Sequence, residues 1–315
     1  MGQDLPMVSA VIPTHNRPEQ LMRALRSVLT QTWSKFEVIV VVDGPDSQTV
    51  SALADCQDSR IRVIALEKGV GGSEARNVGV RAARGEWIAL LDDDDEWLPD
   101  KLSSQMAVAG TCFKGLLFVG SSFIERSGAG DRVLPRGIVD VTRHISELLF
   151  CRTSFLSGTA YVQTSTWLIS RELLLNIPFT KGLRRNQDAD WLLHALTQPA
   201  VSMMVLRTPL TVVYDDDRPE RVSKRADWRF HYEWALANRS FFTLRAFAFF
   251  LLTSCVQDAA ACNEGTAVMF RLLRQSFRLG SPTPLSMAFF FYYWLFPHQY
   301  RRRCRHYIEE IRRCV

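Results

Sequence analysis

An α/β fold is predicted, with a mostly parallel central sheet flanked by helices and a helical appendage at the C-terminus, and three observations predict it. Apolar runs of strand length alternate with helix-period segments from Val8 to Leu91. The runs are continuous in aliphatic residues rather than alternating, as in parallel strands buried on both faces. From about Trp228 onward the composition changes to aromatic-rich helix punctuated by arginines.

Val8–Ile12 reads as the first strand, and Asn16-Arg17-Pro18-Glu19 as a helix start with Asn16 as cap, an early proline and Glu19 at the capping-box position. Leu21, Leu25, Val28 and Leu29 form the buried stripe of that helix. Phe36–Val42 is the second strand and ends in the turn signal Asp43-Gly44-Pro45-Asp46. Ile61–Leu66 reads as a strand, Ser73–Arg84 as a helix, and Trp87–Leu91 as a strand that stops at Asp92-Asp93-Asp94-Asp95. Beyond it come a helix after Pro99, strands near Leu116–Ser122, Thr164–Ser170 and Val201–Leu206, and a helix from Asp188 to Leu196. One domain is therefore expected over residues 1–225, and a separate helical region over 226–315.

A hydrophobic content of 47% with 23% charged residues fits a folded globular chain and excludes collagen-like, disordered and disulfide-rich classes. The seven cysteines are scattered without a Cys-x-x-Cys pair, which signals neither a disulfide framework nor a zinc site and suits a reducing cytoplasm. Met1–Pro6 has no basic or apolar leader pattern, and Pro6 stands where a myristoylation motif needs Ser or Thr, so neither signal is expected. Phe241–Val256 and Leu285–Phe296 are apolar, but Arg245 interrupts the first and the second falls short of the roughly 20 residues that span a bilayer. Within the net charge of +5, Arg301, Arg302, Arg303, Arg305, Arg312 and Arg313 crowd the end of the chain. They share a helical pattern with Tyr300, Tyr307, Ile308 and Ile311, so peripheral attachment to an anionic cytoplasmic leaflet is expected, and nucleic acid is not.

Ligands of open α/β sheets bind outside the carboxyl ends of the strands. Three such ends carry polar residues: Pro13-Thr14-His15-Asn16-Arg17, Asp43–Asp46 and Asp92–Asp95. Four adjacent carboxylates after a buried strand repel one another unless a cation offsets them. A hard divalent ion, Mn²⁺ or Mg²⁺, is the natural remedy, because such ions accept a few carboxylates and fill the remaining positions with water and substrate phosphates. The alternative is a solvated acidic loop before the helix at Pro99.

Val11-Ile12-Pro13-Thr14-His15-Asn16-Arg17, Val42-Asp43-Gly44-Pro45-Asp46, Ala75-Arg76-Asn77-Val78-Gly79 and Gly85–Asp95 resemble, in order and spacing, successive motifs of family 2 glycosyltransferases with the Rossmann-like GT-A fold. Arg184-Arg185-Asn186-Gln187-Asp188-Ala189-Asp190-Trp191 is similar to the family's Glu-Asp-x-Asp-Trp motif, with Gln187 in place of Glu. The resemblance implies an inverting enzyme that moves one sugar from a nucleotide diphosphate sugar, a UDP-sugar first, to a glycan or lipid-linked hydroxyl. By the same resemblance residues 1–105 hold the donor and 106–225 the acceptor. Asp43 matches the base-reading position, and Pro13, Thr14 and Arg17 line the same nucleotide pocket. Arg76 lies near uridine and phosphates. Asp92 and Asp94 match the ends of the Asp-x-Asp motif around Asp93, with Asp94 the direct metal ligand and Asp92 the ribose or water-mediated contact. Asp188 matches the general base, and Asp190 is the fallback.

Arg218, Arg221 and Lys224 follow Tyr214–Asp217 in a loop suited to offset leaving-group charge, although a solvated loop fits equally. Trp167 and Trp191 suit either sugar stacking or the core. Gln275–Leu279 lacks the Trp of a processive-synthase motif, which favours addition of a single residue. A nucleotidyltransferase would need a Gly-rich loop after the first strand, and Gly69-Val70-Gly71-Gly72 lacks dinucleotide-binding spacing. A non-catalytic scaffold is the remaining alternative.

Overall fold

The computed structural model describes residues 8–112, 116–128, 130–155, 162–215 and 226–296. It divides into two compact units, Met1–Thr142 with Ala160–Arg218 and Arg143–Thr159 with Pro219–Val315.

The first unit opens with β1 (Val8–Thr14), α1 (Pro18–Leu29), β2 (Phe36–Val42), α2 (Ser47–Ala54), β3 (Ile61–Ala65), α3 (Gly72–Ala82) and β4 (Trp87–Leu90). It continues through β5 (Glu96–Trp97), α4 (Lys101–Cys112), β6 (Leu116–Ser127) and β7 (Gly130–Leu134). After α5 (Ile145–Phe150), which lies in the second unit, come β8 (Leu168–Ser170), α6 (Arg171–Asn176), α7 (Gln187–Leu196) and β9 (Val201–Asp215). The nine-stranded sheet runs β3-β2-β1-β4-β8-β6-β9-β5, with β7 paired to β6. β3, β2, β1 and β4 are mutually parallel, as the sequence pattern predicts. Past β4 the sheet is mixed: β8 is antiparallel to β4 and β6, β6 and β9 are parallel, and β5 is antiparallel to β9.

Every residue of β1 and β2 is buried, because helices cover both faces. On one face Ala10, Ile12, Val38 and Val40 meet Leu21, Leu25 and Val28 of α1 and Leu102 of α4 in a single core. On the other, α3 lies so close that a Cβ at Gly79 would sit 2.4 Å from Val11 Cγ1, so glycine there is what permits the approach. The register Thr14↔Val42 and Val11↔Leu90 brings the ends of β1, β2 and β4 to one edge.

Several local expectations change. Arg17, not Asn16, caps α1; Asn16 takes φ 53° and donates its N–H to Asp46 Oδ2 at 2.8 Å. Asp46 also accepts from Thr49 N–H at 3.0 Å and thereby starts α2, a helix that the turn signal at 43–46 conceals. The expected strand at Thr164–Ser170 is a 3₁₀ turn over Thr164–Thr166 followed by β8. β6 and β9 run to Ser127 and Asp215, past the expected ends, because they pair with each other along most of their length. Trp167 and Trp191 are 0% and 1% exposed and pack on Phe118 and Phe179, so the sugar-stacking alternative is withdrawn in favour of the core.

The second unit is helical: α5, α8 (Trp228–Ala237), α9 (Leu244–Phe250), α10 (Val256–Ala261), α11 (Thr266–Leu279) and α12 (Pro284–Leu295). A π turn at Leu251–Cys255 joins α9 to α10. Phe247, Phe249, Leu251, Leu252, Cys255, Leu272 and Phe290 are all buried in this unit. Leu244–Ala261 is long and apolar enough to cross a membrane by length and composition, but 56% of it is buried within the protein. Arg239 caps α11 by donating from Nη2 to Leu279 O at 2.6 Å. Gln275–Leu279 forms the last turn and a half of α11.

Candidate active site at the ends of the parallel strands

The acidic run leaves β4 and is caught by groups from five other segments. Thr14 Oγ1, at the end of β1, donates to Asp93 Oδ2 at 2.8 Å. Arg17 Nη1 reaches Asp93 Oδ1 at 3.1 Å and Asp94 Oδ2 at 3.3 Å. Arg76, on α3, pairs with Asp92 Oδ1, and Arg23, on α1, donates to the Asp94 carbonyl at 2.7 Å. Beneath the run, Ser165 Oγ donates to Asp95 Oδ2 at 2.6 Å and accepts from Asp92 N–H at 3.0 Å. Gln163 Nε2 donates to Asp95 Oδ2 at 2.9 Å and to Asp92 Oδ2 at 3.3 Å. The Tyr214 N–H completes the set on Asp95 Oδ1 at 3.3 Å.

These donors do not neutralise the run. Burial, aided by the negative charges of Asp94 and Asp92, pushes Asp93 up to about 6 although Arg17 and Thr14 pull it down. Burial and the charges of Asp92 and Asp94 raise Asp95 well above the usual carboxylate range. Surplus negative charge out of water is what a divalent cation would relieve. Among the described residues no three side chains converge as a ready ligand set. The donors therefore fit a hard ion that takes one or two carboxylates, Asp94 and Asp92, and draws its other ligands from water and substrate oxygens.

Asp43, at the end of β2, has a carboxylate that bridges to the loop before α3: Oδ1 accepts from Val70 N–H at 2.6 Å and Oδ2 from Gly71 N–H at 2.9 Å. Its carbonyl accepts from His15 Nδ1 at 2.7 Å, and its N–H donates to Thr14 O at 2.8 Å. Each carboxylate oxygen keeps a lone pair for one further donor. Pro13 is buried in β1 beside Val41. The ends of β1 and β2 are thus stitched to each other, and the end of β1 is stitched to the acidic run.

Asp188 stands in the first turn of α7, behind Asn186, whose left-handed φ of 58° turns the chain into the helix. Gln187 accepts at Oε1 from Arg76 Nη1 at 2.9 Å, so one guanidinium joins the start of α7 to Asp92 across nearly a hundred residues of sequence. Asp190 is 2% exposed and accepts from Thr180 Oγ1 at 2.6 Å, which makes it a support for the helix start. Sequence reasoning missed Gln163, Ser165, Arg23 and the Gln187–Arg76 link. Lone polar residues in mixed segments carry no periodic or spacing signal. Arg218, Arg221 and Lys224 lie outside the described residues, as does the arginine cluster at 301–313.

The model of the family described as Glycosyl transferase family 2 matches residues 9–174. A relative from Haemophilus influenzae, named as an uncharacterized glycosyltransferase, is 30% identical over 210 residues, which cover 65% of this chain and 67% of the relative. The Escherichia coli UDP-Glc:alpha-D-GlcNAc-diphosphoundecaprenol beta-1,3-glucosyltransferase WfgD is 33% identical over 102 residues, or 32% of this chain and 40% of that protein. Among solved structures, S. aureus TarS 1-349 in complex with UDP-GlcNAc matches with a TM-score of 0.55 at 19% identity, covering 81% of this chain and 70% of that one. The mannosyltransferase PcManGT from Pyrobaculum calidifontis, in complex with GDP-Man and Mn2+, matches with a TM-score of 0.55 at 18% identity, covering 92% and 85%. At such identities these two likenesses are of fold alone, the GT-A glycosyltransferase fold.

Proposed function

This chain belongs to glycosyl transferase family 2, and on that premise we propose that it moves a single sugar from a nucleotide diphosphate sugar, a UDP-sugar first, to a hydroxyl of a glycan or lipid-linked acceptor, with inversion at the anomeric carbon. It is a glycosyltransferase enzyme by that membership. One observation carries the finer reading: Arg76 pairs Asp92 and also binds Gln187, the residue next to Asp188, so the carboxylate-rich strand end and the helix bearing the base share one guanidinium.

In this mechanism Pro13, Thr14, Arg17 and Asp43 hold the nucleotide, with Asp43 accepting from a base N–H. Asp92, Asp93 and Arg76 fix the ribose and diphosphate. Mn²⁺ or Mg²⁺ on Asp94, with Asp92 beside it, would offset charge on the departing diphosphate. Asp188 takes the proton of the acceptor hydroxyl as its oxygen bonds to the anomeric carbon and the bond from that carbon to the diphosphate oxygen breaks. A single displacement inverts the centre. WfgD, by its name a glucosyltransferase acting on a diphosphoundecaprenol-linked sugar, supports a lipid-linked acceptor, and the Mn2+ in the PcManGT complex supports the metal. Arg218, Arg221 and Lys224 would offset charge on the leaving group.

The test is Asp188→Asn. Transfer from a UDP-sugar with Mn²⁺ should fall by about 10²–10⁴-fold while UDP affinity stays near wild type, as expected for loss of a general base. Undiminished turnover removes Asp188 from the mechanism.

A peripheral membrane contact is proposed for the second unit. Its α11 exposes Phe270 and Phe277 seven residues apart, on the side that also carries Arg271, Arg274 and Arg278, and α12 exposes Phe291 and Leu295. Residues 265–296 hold those three arginines and no acidic residue. Interleaved aromatic and cationic side chains suit an anionic leaflet.

A further inference from the structure

We propose that Gln187 is a positioning residue for Arg76: it holds the guanidinium between the acidic run and the start of α7 while leaving the arginine a single anionic partner. The inference rests on the transferase reading above and concerns what the family's Glu position does when it carries an amide.

The amide is used at both ends. Gln187 Nε2 donates to Leu183 O at 2.7 Å, and Oε1 accepts from Arg76 Nη1 at 2.9 Å. Only an amide does both, because a carboxylate cannot donate to the Leu183 carbonyl and would repel it. Arg76 is nearly enclosed, with 11% of its side chain exposed, so its direction is set by these partners rather than by water. Its Nη2 pairs with Asp92, and its Nε is buried without a hydrogen-bond partner. A buried, unpaired N–H on a charged group is costly unless something binds it, which marks the guanidinium as short of an acceptor on that side.

The start of α3 is shaped to this pair. A Cβ on Gly72 would lie 3.3 Å from both Arg76 Nη1 and Gln187 Oε1, so a bare backbone flanks the hydrogen bond. Glutamate at 187 would hand Arg76 a second carboxylate beside a run that already holds surplus negative charge. The arginine's field would then be spent on two neighbours rather than on Asp92 and an arriving diphosphate. Glutamine keeps the tether and withholds the charge.

The experiment compares wild type with Gln187→Glu and Gln187→Met. UDP affinity is measured by calorimetry with Mn²⁺, donor KM and kcat by turnover, and the unfolding midpoint without ligand. Gln187→Glu should weaken UDP binding roughly tenfold and raise donor KM in step, the effect of one like charge a few ångströms from a bound anion. Gln187→Met should leave UDP affinity within about threefold, because no charge is added, and should lower kcat through the loosened α7. Wild-type UDP affinity in Gln187→Glu overturns the proposal. Equal loss in both variants together with a lowered unfolding midpoint also overturns it, because that is the pattern of a merely structural residue. Should wild type bind no uridine nucleotide, the UDP-sugar reading fails instead. The tether is then judged by a double-mutant cycle of Arg76→Met and Gln187→Met on unfolding, where additivity rejects it and coupling supports it.

Discussion

Buried carboxylates meet opposite fates at the two ends of the parallel strands. Glu37, near the amino end of β2, is 5% exposed, and burial alone would favour its protonated form. The Arg84 N–H at 2.7 Å, Ser9 Oγ at 2.8 Å and Arg62 Nη1 at 3.1 Å outweigh burial and hold it below the ordinary 4.5. At the carboxyl end, burial and the charges of the neighbouring aspartates outweigh the donors to Asp93 and Asp95, and both are raised. The first pattern belongs to a brace, whereas the second is the surplus charge that the proposed divalent ion would offset. A depressed folded value means that the stability Glu37 contributes is complete above pH 4.5 and is lost as pH falls through the lower folded value. Glu37→Gln should therefore cost about 1–3 kcal/mol at pH 7, the price of a buried charged hydrogen-bond set, and flatten the acid limb of the stability curve. Chemical denaturation from pH 7 to 3 measures both, and an unchanged acid limb rejects the assignment. These residues were unequally legible beforehand: four aspartates in a row announce themselves, whereas Glu37 sits in an apolar run and its partners come from three other segments.

At the scale of elements, the strand–helix series was readable because its signal is periodic burial, which survives without knowledge of partners. Caps were less so. Asn16, Pro18 and Glu19 imitate a helix start, yet the left-handed φ of Asn16 and the side chain of Asp46 move the boundary by one residue. α2 was hidden because Asp46 serves as both turn residue and cap. α3 shows how an element positions the site: its first turn carries Gly72 and Arg76, and its seat on the sheet is fixed at Gly79. Gly79→Ala would place a methyl 2.4 Å from Val11 Cγ1 and should cost about 1–3 kcal/mol, typical of overpacking. Because α3 must then lift, UDP affinity should fall as well. A variant that keeps both its unfolding midpoint and its UDP affinity would show that α3 is free to shift without consequence.

The whole molecule consists of two units with different surfaces, an α/β unit that carries every described candidate site residue and a helical unit with exposed Phe270, Phe277 and Phe291. Reversing Arg274 and Arg278 to Glu in the full chain should weaken binding to anionic vesicles at least tenfold, at about 1 kcal/mol per arginine near such a surface. Turnover of a soluble acceptor should be unchanged, and equal co-sedimentation of variant and wild type would refute the membrane contact. The sequence by itself determined the parallel strands, the clustering of three polar strand ends and the family, because apolar periodicity and ordered motifs are properties of neighbours along the chain. Only the tertiary structure decided that Arg76 joins Asp92 to Gln187, that Ser165 and Gln163 support Asp92 and Asp95, and that Trp167 and Trp191 are core. The hydrogen bonds of Gln187 with Arg76 and of Ser165 and Gln163 with Asp95 link residues about seventy to over a hundred positions apart, and a hydrogen bond across such a span leaves no trace in local pattern; it exists only once the sheet has brought its donor and acceptor to the same edge.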